Sequence, residues 1–557
     1  MRYLLTLSIG PVQDFIAAAR RTVDLQAGSK LLQQLAMHLA QDIQDKGGTL
    51  IFPASAQVPG PNKVVATIDT DDPATFAQQL REGAVQWLWQ QWQTARDRIP
   101  SVPLDDHLAE EQIKHFLEFY AAWVPLNGDY AQARHQAERL LAGRKALRDF
   151  RQVPCRPGRP KSPLDPSRDT VLKLEQGLRI PDEAQKEPLF LKRTEYLDAV
   201  SMLKRLLGEK KVPSTSLMAA RAILPIADQQ AVQELQRIAD NAPGAVDIGD
   251  LMFPTRVQEQ IEEGEPPLRN YLQRHQTEID HLRRRILDSL SPRLSECPPY
   301  YAILAADGDR MGQLISAQRD MQSHQKLSSA LADVAEEMKK VVQQHHGYTV
   351  YAGGDDLLAF LAVNQILSCA CQLAAAFNQA MEQFRKDKND DSGGTLSIGV
   401  AIVHRMEMLQ QALEWARAAE AEAKKSRNAI AIALHTRGGV PLTAVSSFKD
   451  DPYLDGWRQW LKAFRAGLTR GFPYELQHLA REVENASLSA DSLQAEAFRI
   501  FDRKTGREGS AAVKQFRPAF KQRMDRIGKA EDLRAFAEQL IVARFLSEYP
   551  NGVEVRS

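Results

Sequence analysis

Short apolar runs and longer periodic segments alternate in two parts of the chain, while two other parts are periodic throughout. Near the start, Tyr3 to Ile9, Thr49 to Phe52 and Val64 to Ile68 are apolar runs of strand length. Between the first two lies a helical period from Val12 to Lys46, with a break expected near Gly28. Helices rich in Trp, Gln and Leu follow, so residues 1–150 read as one α/β module. Residues from Thr194 to Pro292 keep the helical period, with a charged run from Arg274 to Arg285. A second α/β module opens at Pro299. Its strands are Tyr300 to Ala306, Tyr348 to Ala352, Leu357 to Val363, Thr395 to Val403 and Ala429 to Leu434. Its helices are Leu327 to Gln344, Gln365 to Arg385 and Met408 to Ser426. The first six elements run β-α-β-β-α-β, the ferredoxin-like order, which sets the first strand beside the hairpin of the next two. After about Ala444 the pattern is helical again, including Tyr474 to Val483 and Asp532 to Ser547. The expected divisions are therefore 1–150, 151–298, 299–444 and 445–557.

Length agrees with this division, because 557 residues exceed what one hydrophobic core holds. Hydrophobic residues at 43% and charged residues at 25% are ordinary for a chain that folds in water. Lys plus Arg and Asp plus Glu both number 71, so any nucleic-acid site must be local. One local excess stands out. Arg144 to Arg168 carries eight Lys or Arg against Asp149 and Asp165, and six Pro or Gly residues from Pro154 to Pro166 keep it irregular. It reads either as a solvated linker or as a contact for RNA or a neighbouring subunit. The four cysteines, Cys155, Cys297, Cys369 and Cys371, have no paired zinc spacing and are too sparse for a disulfide scaffold. A reducing cytoplasm is expected. The N-terminus lacks a secretory cleavage pattern, and the most apolar stretch, Ile366 to Met381, is polar-interrupted and short for a membrane span.

The chemistry concentrates in the second module. Asp307 ends its first strand, and Gly353-Gly354-Asp355-Asp356 forms the turn of the adjacent hairpin. Carboxylates brought together by that order suit two divalent ions, Mg2+ or Mn2+, which activate a hydroxyl and neutralise a leaving pyrophosphate. Gly353 and Gly354 are expected to supply positive φ and an open approach for a triphosphate. A Gly-Gly-Asp-Asp string by itself is ordinary turn chemistry; its place between two apolar strands, after an apolar strand ending Asp-Gly-Asp, is what argues for catalysis. Lys424, Lys425, Arg427 and Asn428 close the third helix, where a cation either reaches the triphosphate or simply complements the helix dipole. Ser397 could touch nucleotide or be an ordinary strand serine. His345, His346 and His404 show no metal-ligand spacing.

These strings resemble the large, polymerase-like subunit of type III CRISPR effector complexes, particularly the Cmr branch. In the second module the similar segments are Tyr301 to Gly312 (YAILAADGDRMG), Tyr351 to Phe360 (YAGGDDLLAF), Leu396 to His404 (LSIGVAIVH) and Ala421 to Ile432 (AEAKKSRNAIAI). In the first module they are Ser8 to Leu32 and Pro59 to Val64, followed by Gly143 to Phe150, Ala199 to Leu206 and Val212 to Ser216. The resemblance implies an α+β multidomain chain with two ferredoxin-like palm modules, the N-terminal one degenerate and the second catalytic, plus helical middle and C-terminal domains. It implies nucleotidyl transfer from ATP, switched on by target RNA pairing with guide RNA, giving cyclic oligoadenylate or a related adenylate messenger in antiviral defence. Asp307, Asp355 and Asp356 take the metal positions, with Gly353, Gly354, Ser397, Lys424 and Arg427 toward nucleotide. Guide RNA, target RNA and other effector subunits are the implied partners, with no membrane.

Three departures qualify this. No HD nuclease pattern precedes the first module, and Asp106-His107 lacks its companions, so DNA cleavage is not expected. Cys155 stands alone in PCRPGRPKSP, so no zinc is expected. Gln26 replaces a Trp common in relatives. Two rival readings are a GGDEF-type diguanylate cyclase, disfavoured by Asp356-Leu357 where that family has Glu-Phe, and a silent RNA-binding scaffold, disfavoured by the intact carboxylates.

Overall fold

The computed structural model of the protein describes residues 1–58, 62–147, 155–209, 211–291, 293–385, 393–484, 489–506 and 511–550. In the first module Arg2–Gly10 (β1), Thr49–Phe52 (β2), Lys63–Asp69 (β3) and Glu118–Pro125 (β4) form a sheet ordered β2-β3-β1-β4. Strand β1 is antiparallel to both neighbours and buried from Leu4 to Gly10. The edge strand β4 is absent from the sequence reading, although its exposed and buried positions alternate as an edge strand's should. The helical break also falls elsewhere than expected. A short helix, Gln13–Ala17, stops before Thr22–Asp45, and Gly28 lies inside the second helix. The cause is Lys204 on helix Ala199–Leu207. Its buried ammonium donates to the Phe15 carbonyl at 2.7 Å and to that of Ala18, taking acceptors at the end of the first helix. Gly28 makes room for it, since a Cβ there would lie 2.9 Å from Lys204 Cδ. Next to it Arg205 binds Asp24 through two hydrogen bonds, at 2.6 and 2.8 Å, and Glu195 at 3.1 Å.

Three cations of the basic insert are paired with carboxylates. Arg156 and Arg159 both pair with Asp105, the latter at 2.8 Å, and Lys161 pairs with Asp169 at 2.7 Å. Residues 148–154 of the insert, and with them the end of the 143–150 string, lie outside the described residues, as do residues 59–61.

The second module builds a six-stranded sheet from Tyr300–Gly308 (β5), Tyr348–Gly353 (β6), Asp356–Leu361 (β7), Leu396–His404 (β8), Ala429–Leu434 (β9) and Leu442–Ser447 (β10). Its order is β10-β9-β8-β5-β7-β6, so β5 lies between the hairpin and β8. Strand β10 corrects the expected switch to helix near Ala444: the segment instead pairs antiparallel with β9. The two modules embrace each other. Helix Thr22–Asp45 packs on its own β2 and β3 and also on β6, while Met321–Gln344 packs on β6 and β7 and also on β2. Polar contacts fix this seam. The Ala54 amide donates to Ser328 Oγ at 2.9 Å, Gln325 Nε2 donates to the Leu50 carbonyl at 2.7 Å, and the Arg134 guanidinium binds the carbonyls of Ile315, Ser316 and Gln318. One apolar core runs through the first module, the middle helices and the second sheet, whereas the helices from Asp455 onward enclose a second core around Phe472, Phe501, Phe520 and Phe536. No helix among the described residues is long and apolar enough to cross a membrane.

Candidate active site

Strand register decides which side chains meet at the C-terminal end of β5. Asp307 stands directly opposite Asp356 on β7 and opposite Ser397 on β8, and the Gly308 amide donates to the Asp355 carbonyl at 3.0 Å. Three acidic residues thus share one sheet end. Like charges directly opposite each other on adjacent strands repel, an arrangement that costs stability unless a cation answers it. Two glycines permit the close approach. A Cβ at Gly308 would lie 2.8 Å from that of Asp355, and one at Gly399 would lie 2.0 Å from the backbone nitrogen of Glu420. The second contact lets helix Leu409–Ser426 lie flat on β8 and brings its last turns over the carboxylates.

That helix brings in the expected Lys424 and adds Glu420, which the sequence reading did not single out. Lys424 pairs with Asp307 and also with Glu420, the latter at 3.3 Å, one helical turn back. Side-chain exposures of 28% for Asp307, 38% for Lys424 and 18% for Glu420 make this a half-buried cluster rather than a surface pair. Electrostatics follow from the crowding. Burial, then Asp307 and Asp356, push the Asp355 carboxyl up to about 7. Asp356 is likewise pushed up to about 7, first by burial; Asp307 and Glu420 add to this while a hydrogen bond with Tyr351 opposes it. Glu420 is raised by burial and Asp307 against Lys424. Burial would lower Lys424, but Asp307 and Glu420 raise it. The Tyr351 hydroxyl is raised well above its usual range by burial and Asp356. Carboxyls raised by burial and by one another's charge are what a cation-binding site looks like electrostatically.

The remaining expected residues divide. Gly354 has φ of +66° and Gly353 does not share it, correcting the expectation of two positive-φ glycines; a Cβ at either would meet nothing within 4 Å, so the approach over the turn is open. Ser397 is fully buried and donates to Asp309 Oδ1 at 2.7 Å, so it does not present its hydroxyl to a nucleotide as expected. Asp309 is an anchor. Its carboxylate also accepts from Thr395 Oγ1 at 2.6 Å and from the Asn428 amide at 2.8 Å, tying the end of β5 to β8 and to the turn before β9. In that turn Arg427 and Asn428 both have positive φ, 56° and 42°, a conformation uncommon for such residues and held by the Asp309 bond. Arg427 is thus the residue at which helix Leu409–Ser426 ends. Among the described residues no three His, Cys, Asp or Glu side chains form a ready-made metal cage. An oxygen-only donor set of this kind suits Mg2+ or Mn2+, whose shells are usually completed by substrate phosphates and water.

Comparison with known proteins yields two family matches. Residues 300–431 match Cas10/Cmr2, second palm domain, and residues 4–118 match CRISPR-associated protein Cmr2, N-terminal. The CRISPR system Cmr subunit Cmr2 of Pyrococcus furiosus is 29% identical over 245 residues, which span 38% of this chain and 27% of that relative. Among solved structures, a type III-B Cmr-beta complex bound to cognate target RNA contains a chain similar at a TM-score of 0.62 and 13% identity, over 92% of this chain and 79% of that one. A Csm1–Csm4 cassette in complex with pppApA is similar at a TM-score of 0.50 and 12% identity, over 98% and 69%. At these identities the structural likeness establishes shared fold.

Proposed function

Since the chain belongs to the Cas10/Cmr2 family, we propose that it is the large subunit of a type III-B CRISPR effector complex and that its second, ferredoxin-like palm joins ATP units into cyclic oligoadenylate or a related adenylate messenger. The observation carrying this reading is the direct opposition of Asp307 and Asp356 across β5 and β7, with Asp355 drawn in through the Gly308 amide. Two divalent ions held by Asp307, Asp355 and Asp356 would supply Lewis-acid activation of the attacking hydroxyl and charge neutralisation of the pyrophosphate. The chain's own residues do the rest. The open Gly353-Gly354 turn admits the phosphates, Lys424 and Arg427 at the helix end offer positive charge to the triphosphate, and Asp309 with Ser397 and Thr395 fixes the strand end that carries Asp307. Positioning and charge, without covalent chemistry by the protein, suffice for phosphoryl and nucleotidyl transfer. A Csm1–Csm4 structure holding pppApA supports an oligoadenylate product class for this fold.

In this proposal guide RNA pairing with target RNA turns the palm on in the cytoplasm, and neighbouring subunits complete the particle; a fold neighbour seen bound to cognate target RNA supports it. The test is mass spectrometry of products from the assembled complex, with ATP and Mg2+, with and without matching RNA. Asp355→Ala with Asp356→Ala should abolish the adenylate product and leave assembly intact, and Asp307→Ala should behave alike. Undiminished product from the double variant would sink the assignment.

A further inference from the structure

Lys424 is unusual among the cations near the site because it holds two acidic groups at once. Its ammonium pairs with Asp307 on β5 and, at 3.3 Å, with Glu420 on its own helix. The neighbouring Lys425 points elsewhere, pairing with Glu422 at 2.5 Å on a side chain that is 71% exposed. Residues 420 and 424 are i and i+4 on one helix face, so Glu420 stays within reach of Lys424 whatever happens at Asp307. Gly399 lets the Glu420 backbone lie directly against β8, which holds Glu420 close to the strand that carries the site.

Resting on the palm reading above, we propose that Lys424 is a resident counter-ion of the acidic cluster and Glu420 its receiving group, so that a divalent ion reaches Asp307 by exchange with the ammonium. Lys424 satisfies Asp307 until the ion arrives; it then turns fully onto Glu420, and its position at the helix end leaves it beside the triphosphate. Glu420 is thus a positioning residue that acts through Lys424. The exchange keeps the cluster's net charge tolerable at each stage, and it makes metal affinity depend on two residues that need not touch the metal.

The expected signature is a coupling between the two residues, read as Mn2+ affinity by electron paramagnetic resonance on the full chain without nucleotide. Lys424→Met should bind Mn2+ about fivefold more tightly, the factor equivalent to ~1 kcal/mol for a half-exposed pair. Lys425→Met, the control for general charge, should shift affinity by less than twofold. Glu420→Gln should weaken binding in the wild-type background, because the displaced ammonium loses its receiver, and weaken it clearly less in the Lys424→Met background. Equal weakening in both backgrounds, or a larger loss in the Lys424→Met background, would make Glu420 an independent charge or a direct ligand and overturn the exchange. An unchanged affinity in Lys424→Met would overturn it as well. Asp307→Ala separates this from the parent reading: if it binds Mn2+ as the wild type does, the palm metal site itself fails, whereas loss of binding there with no Lys424 effect sinks the exchange alone.

Discussion

Replacing Asp355 and Asp356 together by Asn should stabilise the metal-free protein at pH 8 and leave it unchanged near pH 4. Both carboxyls are pushed up to about 7, from an ordinary 3.8, by burial and by the charge of neighbouring carboxylates, Asp307 foremost. Their folded-state pKa values therefore lie above the unfolded ones, so the folded protein holds the extra protons between about pH 4 and pH 7. Stability then falls as pH rises through that window and stays low above it. A carboxyl carried from 3.8 to about 7 costs up to ~4 kcal/mol. The two groups share one repulsion and are partly solvated, so the relief expected for the pair at pH 8 is ~1–2 kcal/mol. For a cooperative unit of palm size this is a rise of a few degrees, at ~2–4 °C per kcal/mol. The assay is thermal unfolding in EDTA at pH 8, 6 and 4.5, followed by addition of Mn2+, which should raise the wild type at pH 8 and leave the variant unmoved. A variant that melts at or below the wild type at pH 8 would refute the view that these carboxylates repel one another in the folded state.

Gly399→Ala should cost ~1–3 kcal/mol and cut adenylate product about a hundredfold, because a Cβ 2.0 Å from the Glu420 nitrogen lifts the helix that carries Lys424; product assays on folded complex decide it. Arg156, Arg159 and Lys161 changed together to Gln should leave the salt slope of guide RNA binding unchanged, since all three are already engaged by Asp105 and Asp169; a flatter slope in a binding series would show phosphate contact instead. Elemental analysis should find no stoichiometric zinc, and the chain should not cut single-stranded DNA in a manganese assay once the palm carboxylates are removed.

Much of the palm was legible because its signals are local. Apolar strands flanking Gly-Gly-Asp-Asp, and another ending in Asp-Gly-Asp, predict strands whose order alone brings Asp307 beside Asp356. What escaped depends on contacts between distant segments. Nothing near Gln13 announces that Lys204 will end its helix, and β4 reads as helix until it finds an edge of β1 to pair with. Ser397 looks like a nucleotide contact only while the Asp309 carboxylate is left out of account. Glu420 was within reach, four residues before Lys424 on the same helical face, but its importance depends on Gly399, which supplies the close approach. The insert's charge excess is plain in the sequence, but Asp105, which pairs with Arg156 and Arg159, lies too far back for composition to pair them.

The embrace of the two modules has a mechanical consequence. Helix Thr22–Asp45 presses on β6, the strand that runs straight into Gly353 and the carboxylate turn, while Met321–Gln344 presses back on β2. Each module therefore leans on the other's hairpin through a rod of 24 residues, about 36 Å long at ~1.5 Å per residue. Packed helices shift as rigid bodies, so a rotation of the N-terminal module about this seam would bear on β6, the strand that leads into the acidic turn. The two helices act as levers, each set against the other module's sheet, and the acidic residues sit at the end of β6.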